Sequence, residues 1–419
     1  MLSASVALSG ATGSFAVPAA PTVGSVQVAA LPALRGMTLL EQLAELPTTD
    51  LAGFLGANTE VISQLVSAPP AAAEVTLWWS GLAIDTRSSF LSGAPQMVGN
   101  LEGVPFDLRD YANRQVLASI VESVAAPAKN VGRSALIDAS GTGHLLGEVE
   151  KALIAPAGAP ARHLVSLDPS GSGTAAIVIG DLEDADYVSY LVPGMFYTVD
   201  TQMVRWADAA QAVYDTEVEW ADRDTKVATV AWIGYETPGM IDFTTLDLAY
   251  GGRDAIAASV DGLRAIRGAE QPYLSVIAHS YGSTAAMMAL ADLGIEVDAL
   301  AVIGSPGSDA PTAASLGVVG DNVYVGEADW DQVKDTSFFG VDPGSTAFGA
   351  HVFSVDGGKD PRTGLDLLGS TGHDEYFVRG SESLRNLALI SLGRGFLVTT
   401  DDPGSIAPKG YAGLHRGGR

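Results

Sequence analysis

Leu274-Ser-Val-Ile-Ala-His-Ser-Tyr-Gly-Ser283 runs directly into Thr284-Ala-Ala-Met-Met-Ala-Leu-Ala291. The mainly apolar run Leu274–Ala278 reads as a buried strand, and the segment after Ser280 has helical spacing. A strand that breaks at a serine and restarts as a helix matches the G-x-S-x-G elbow, whose sharp turn lifts the serine hydroxyl above the sheet. Here the first glycine is Ala278 and the second is Gly282. Small residues are needed on both sides because the strained turn brings backbone and side chains together. Alanine meets that demand, so the departure weakens the match without breaking it.

The segments around the elbow set the architecture. Leu164–Leu167 and Ala175–Gly180 flank Asp168-Pro-Ser-Gly-Ser-Gly173 and read as a hairpin. Apolar runs follow at 187–193, 227–233, 274–278, 297–303, 323–326 and 351–355, with helical stretches at 198–220, 241–267, 281–294 and 379–393. Strands alternating with helices imply a mainly parallel sheet covered on both faces, with the hairpin supplying an antiparallel element. About eight strands in this order predict an α/β-hydrolase fold.

Upstream, residues 35–130 read as an all-helical region. Thr38-Leu-Leu-Glu-Gln-Leu-Ala-Glu-Leu46 has apolar residues at helical spacing. A weak repeat at a spacing of 36 places Leu46, Phe54-Leu55, Val61-Ile62 and Leu65 on Leu82, Phe90-Leu91, Met97-Val98 and Leu101. Two copies are too few for a solenoid, so two similar helical hairpins are expected, with Trp78-Trp79 packed among them. Residues 131–161 read as a linker containing one helix, 162–396 as the sheet-bearing domain, and 397–419 as a flexible tail rich in glycine, proline and basic residues. Residues 1–34 carry no charge. A basic segment of the kind that opens a signal peptide is missing, and Pro18, Pro21 and Pro32 argue against a membrane span. This stretch is read as a flexible segment, either the remnant of a trimmed export signal followed by a tether or a disordered start, with the first favoured. The protein is therefore expected to be secreted or in the cell envelope, with a cytoplasmic location as the alternative.

Composition narrows the chemistry. The chain has 419 residues, 47% of them hydrophobic, enough for a large domain and a smaller one. A formal charge of −26 opposes binding to nucleic acid or anionic membrane. The absence of cysteine excludes disulfides, thiolate catalysis and Cys-ligated metal.

A serine nucleophile needs a base, and in this fold the chain order is Ser, then Asp or Glu, then His. His351, His373 and His415 follow Ser280. His351 opens a strand and His415 lies in the tail. His373, in the glycine-bearing loop Gly369-Ser-Thr-Gly-His-Asp-Glu-Tyr-Phe377, is placed to swing over the serine. The acid is expected after the strand Asn322–Gly326, where Glu327, Asp329 and Asp331 compete and spacing barely separates the last two. These acids, with Asp335, lack the ligand spacing of a calcium loop, and neither a metal nor a cofactor is expected. The oxyanion is expected to meet the amide of Tyr281 and one from Val192-Pro-Gly-Met-Phe, where Gly194 permits a turn that frees Met195 or Phe196. His279 is adjacent to the serine and points the wrong way to serve as base, so a structural role is expected. Tyr235, in Trp232-Ile-Gly-Tyr-Glu-Thr-Pro238, is expected to line the substrate pocket beside Gly194, and Gly304-Ser-Pro-Gly307 reads as a tight turn.

Several stretches together resemble the actinobacterial α/β-hydrolases long catalogued as a domain of unknown function. They are Trp78-Trp-Ser-Gly-Leu82, Val98-Gly-Asn-Leu-Glu-Gly-Val-Pro105, Arg109-Asp-Tyr-Ala-Asn-Arg114, Val192-Pro-Gly194, Gly234-Tyr-Glu-Thr-Pro238, His279-Ser-Tyr-Gly-Ser283, Gly304-Ser-Pro-Gly307, Asp342-Pro343, Phe348-Gly-Ala350, Gly372-His-Asp-Glu-Tyr-Phe377 and Ser383-Leu-Arg-Asn-Leu387. The resemblance spans about residues 75 to 392. It implies a helical region attached to a hydrolase core, Ser280 as nucleophile and His373 as base. Members tend to have an aspartate, one residue and a small aliphatic in the acid loop, which Asp331-Gln-Val333 matches, so Asp331 is favoured over Asp329. Many members have proline where this chain has Gln332. The expected activity is hydrolysis of a small-molecule carboxylic ester, with an amidase, a peptidase or a non-catalytic scaffold as the alternatives.

Overall fold

The computed structural model describes residues 22–23, 26–125, 133–240, 244–333 and 337–400. Eight strands form one sheet: β1 (Arg162–Asp168), β2 (Thr174–Ile179), β3 (Tyr187–Val192), β4 (Val227–Ile233), β5 (Tyr273–His279), β6 (Ala299–Ile303), β7 (Val323–Gly326) and β8 (His351–Val352). Their order across the sheet is β1-β2-β4-β3-β5-β6-β7-β8. β2 runs opposite to the other seven strands, which all point the same way. The central strands are apolar along both faces because helices cover both sides. Val188, Tyr190 and Val192 of β3 and Val276 and Ala278 of β5 face one core, beneath α10 (Asp247–Arg267) and α11 (Tyr281–Asp292). Leu191 and Ile277 face the other, beneath α9 (Val199–Trp220) and α12 (Glu382–Ser391). This is the α/β-hydrolase fold expected from the sequence, preceded by a helical region.

That region contains α1 (Gly36–Ala44), α2 (Thr48–Ala57), α3 (Thr59–Ser67), α4 (Ala72–Gly81), α5 (Ile84–Gly93), α6 (Pro95–Asn100) and α7 (Phe106–Ala125). It has its own core, including Leu39, Leu55, Val75, Trp79 and Phe90. The 36-residue repeat is visible in the element boundaries, since α5 and α6 start 36 residues after α2 and α3. Trp79 is buried, and Trp78 packs edge-on against Phe90 at 5.2 Å.

The helical region also finishes the sheet. Strand β1 is an edge, and its outward backbone groups need partners. Asn100 bonds both the amide and the carbonyl of Leu167 at 2.9 Å. Asp110 accepts from the Leu164 amide at 2.6 Å, and Asn113 donates to the Leu164 carbonyl at 3.1 Å. Arg114 donates to the Arg162 carbonyl at 2.6 Å. Side chains of α6 and α7 thus stand where a ninth strand would pair.

Three expected boundaries move. The segment read as a linker carries α8 (Arg133–Ala152), whose Leu145, Leu146 and Val149 belong to the same core as α9 and α12. An apolar helix face with a ready partner is part of the domain. The first 34 residues are not a free tether throughout, because Leu31 is buried in the helical core and residues 28–33 form a 3-10 helix. The tail does not begin at Leu397, since Val398 is buried and Asn386 donates to the Thr399 hydroxyl at 2.8 Å. Residues 1–21 and 401–419, with His415, lie outside the described residues, as do 334–336 with Asp335. Among the described residues, no helix is long and apolar enough to cross a membrane.

Candidate active site

The site lies at the carboxyl ends of the strands, where the order β3-β5-β6-β7 brings four loops together. Ser280 occupies the junction between β5 and α11 with φ 55° and ψ −132°. A non-glycine residue in such a conformation is strained and persists only when its surroundings enforce it. Here the Ser280 amide donates to the Ile303 carbonyl at 3.0 Å and the Ser283 hydroxyl to the Ser280 carbonyl at 2.6 Å. A Cβ at Gly282 would lie 2.3 Å from the Pro193 carbonyl oxygen, so the second glycine of the elbow is required. Ala278 is a fully buried strand residue aligned with Val192 and Val302, and its methyl fits.

His373 Nε2 lies 2.7 Å from Ser280 Oγ, and His373 Nδ1 lies 2.8 and 3.0 Å from the two Asp331 oxygens. The Asp331 carboxylate also accepts from the Tyr376 hydroxyl at 2.7 Å and the Val333 amide at 2.9 Å. Burial pushes this carboxyl up, but the bonds from His373, Tyr376 and Val333 outweigh it and hold it at about 2. The group is therefore ionised at neutral pH, and it fixes the proton of His373 on Nδ1, leaving Nε2 to accept from serine. Asp329, the rival acid, is exposed, while Asp331 is 4% exposed. His351 is 5.4 Å from the Tyr324 ring on the edge strand β8.

Gly304 marks a close approach that the sequence showed only as a turn. Its φ is +56°, and a Cβ there would stand 2.6 Å from Asp331 Oδ2 and 3.0 Å from His373 Nδ1. His279 is buried beneath the base, and its Nε2 lies 2.7 Å from the His373 carbonyl oxygen. A carbonyl only accepts, so Nε2 carries the proton. Burial, with repulsion from His373, lowers the His279 imidazole to about 4 and keeps it neutral. Sequence reasoning does not single out Tyr376, although a tyrosine three residues from a candidate base is a visible signal.

The loop after β3 supplies donors. Gly194 packs against the serine so closely that a Cβ would meet Ser280 Cβ at 2.4 Å. The amides of Tyr281 and Met195 donate to no described residue. The Phe196 amide, an equal candidate from the sequence, donates to the Pro238 carbonyl at 3.0 Å and is not available. Phe196 itself takes φ 65° and leaves its ring half exposed. Tyr235, expected on the substrate wall, is 4% exposed. Its hydroxyl donates to the Pro193 carbonyl at 2.8 Å, so it supports this loop from below. Among the described residues, no group of three or more His, Asp or Glu is arranged to hold a metal ion.

Residues 168–341, which include Ser280 and Asp331, match a family model described as alpha/beta hydrolase. That match spans β2 to β7 and agrees with the α/β-hydrolase fold of the sheet. His373 lies beyond the matched residues. An uncharacterized protein of Mycobacterium tuberculosis strain H37Rv is 29% identical over 374 residues, covering 79% of this chain and 57% of its own length. An uncharacterized protein of Mycobacterium bovis is 29% identical over 171 residues, covering 38% of this chain and 63% of its own. The chain thus spans less than two thirds of the length of these relatives. Among solved structures, an esterase of Pyrobaculum calidifontis is 13% identical over 65% of this chain and 97% of its own, with a TM-score of 0.35. An esterase/lipase from an uncultured bacterium is 12% identical over 67% and 96%, with a TM-score of 0.34.

Proposed function

We propose that the chain is a serine hydrolase that cleaves small-molecule carboxylic esters through an acyl-enzyme. The observation that carries this reading is the unbroken line Asp331–His373–Ser280, with bonds of 2.8 and 2.7 Å ending on a serine held at positive φ. Ser280 Oγ attacks the ester carbonyl carbon as its proton passes to His373 Nε2, and Asp331 stabilises the resulting imidazolium. The carbonyl oxygen gains negative charge and is met by the amides of Tyr281 and Met195, the first at the amino end of α11. The tetrahedral centre collapses, and the departing alkoxide takes the proton from His373. Water then attacks the acyl-serine as His373 accepts its proton, and the second tetrahedral centre collapses by breaking the bond to Ser280 Oγ, which takes the proton back from His373 as the carboxylic acid leaves. Ester is preferred over amide because an alkoxide departs more easily than an amine.

A fluorophosphonate probe tests the assignment. It is expected to label the wild-type chain and not Ser280→Ala. Equal labelling of the two proteins, or none of either, would remove Ser280 as the nucleophile. A series of p-nitrophenyl esters from acetate to palmitate then defines the acyl group accepted.

A further inference from the structure

A pocket of ≈ 230 Å³ lies where the helical region, the sheet and α10 meet, and its walls include Glu102, Arg109, Asp168, Tyr190, Trp232 and Ser259. Tyr190 projects from β3 and is 6% exposed, yet its hydroxyl makes no hydrogen bond to any described residue. Tyr190 lines the pocket and its hydroxyl is not among the buried atoms that lack a partner, so the oxygen reaches the open space and can bond a molecule held there. Burial, with Glu102 nearby, raises the Tyr190 phenol, which stays a neutral donor. On the α10 wall, Ser259 accepts from the Trp232 indole at 3.1 Å and its own proton donates to no described residue.

The charge on the walls limits what can enter. Arg109 forms a two-pronged pair with Glu102 at 2.5 and 2.9 Å, so its cation is neutralised inside the protein. Asp168 adds a negative charge, and the pocket therefore disfavours anions. Glu102 and Asp168 offer acceptors, Tyr190 and Ser259 offer donors, and Trp232 offers an apolar wall. An apolar cavity of about 150 Å³ holds benzene, so this space takes about nine or ten non-hydrogen atoms.

We propose that this pocket is a binding site for a neutral polyhydroxylated molecule of pentose size, anchored by the hydroxyls of Tyr190 and Ser259 and by the Glu102 carboxylate. The site is separate from the Ser280 line and does not depend on hydrolysis.

Calorimetric titration of D-ribose into the full chain carrying Ser280→Ala tests it without turnover. One saturable site is expected, with D-ribonate, the carboxylate counterpart, binding at least about tenfold more weakly. Tyr190→Phe keeps the ring and removes one hydrogen bond, so affinity should fall about two- to tenfold, and Ser259→Ala should act in the same direction. No saturable ribose heat would mean that the pocket holds water only. Equal binding of ribonate would overturn the neutral-ligand assignment, and ribose binding unchanged in both variants would place the sugar elsewhere.

Discussion

Asp331→Asn is the most informative single change at the proposed catalytic line. The carboxylate has two oxygens and three donors around it: His373 Nδ1 reaches both oxygens, Val333 donates to Oδ1 and Tyr376 to Oδ2. An asparagine must turn its NH2 towards one of them. Placed at the Oδ1 position it faces the Val333 amide, and placed at Oδ2 it faces the Tyr376 hydroxyl, which already accepts from the Ala328 amide at 3.0 Å. Either orientation sets donor against donor in a buried site, costing roughly 1–3 kcal/mol of stability. The larger effect is on His373. With an amide proton facing Nδ1, the imidazole proton is driven to Nε2, and the base can no longer accept from Ser280. The analogous change in a serine protease lowers kcat by about 10⁴-fold, and a similar loss is expected here on p-nitrophenyl acetate, with the KM within about threefold of the wild type. Asp329→Asn, on an exposed side chain beside it, should leave kcat within about twofold. Retention of more than a tenth of the activity in Asp331→Asn, or a large loss in Asp329→Asn instead, would refute the assignment of the acid.

Further expectations concern the surroundings of the same line. Gly304→Ala places a methyl 2.6 Å from Asp331 Oδ2 at φ +56°, so kcat should fall by about a hundredfold, with a lower Tm; unchanged kinetics would show that the loop yields freely. Tyr235→Phe removes the bond to the Pro193 carbonyl, and kcat should drop about tenfold with little change in KM; an effect on KM alone would return Tyr235 to the substrate wall. Glu217 is buried with Ser189 and Thr229 hydroxyls at 2.5 and 2.8 Å, and burial raises its carboxyl to about 7 despite them. A raised acid stabilises the fold fully below its unfolded pKa near 4.5 and loses that contribution as pH rises through 7, about 3 kcal/mol in all. Thermal melts should therefore show the wild type losing stability from pH 5 to 8, and Glu217→Gln flattening that slope; parallel slopes would contradict it. Asp110→Ala leaves the Leu164 amide at the sheet edge without its partner, and self-association with a lower Tm is expected by light scattering and calorimetry.

The sheet was legible because its strands are short apolar runs separated by helices of the right period, and the elbow because a helix restarts immediately after Ser280. His373, the candidate base, stands out in the sequence through chain order and a glycine-bearing loop, and it lies 2.7 Å from Ser280 Oγ. What escaped the sequence was contact across the chain. Gly304 looks like any turn glycine until Asp331 and His373 are seen against its Cα. Phe196 and Met195 are equivalent in sequence, and only the approach of the Pro238 carbonyl separates them. Tyr235 ends a strand on the catalytic side, but stacking on Trp232, with ring centres 6.0 Å apart, turns its hydroxyl inward. The segment 131–161 has no clear pattern because residues 141–152 of α8 bury only Leu145, Leu146, Val149 and Ala152, a narrow apolar stripe.

The edge of the sheet explains why a helical region precedes the hydrolase domain. An edge strand exposes a row of unpaired backbone groups, and the usual remedies are charge, a bulge or a cover. Strand β1 has a register shift between Leu164 and Ser166, and it is covered as well. The cover is made of side chains, and Asn100, Asp110, Asn113 and Arg114 each reach a β1 backbone group. These residues fall within two of the stretches that carry the family resemblance. Arg109 and Glu102 lie in the same stretches and form one wall of the pocket above Tyr190. The same helices therefore seal the β1 edge and enclose the cavity beside it, and detaching them would open both at once.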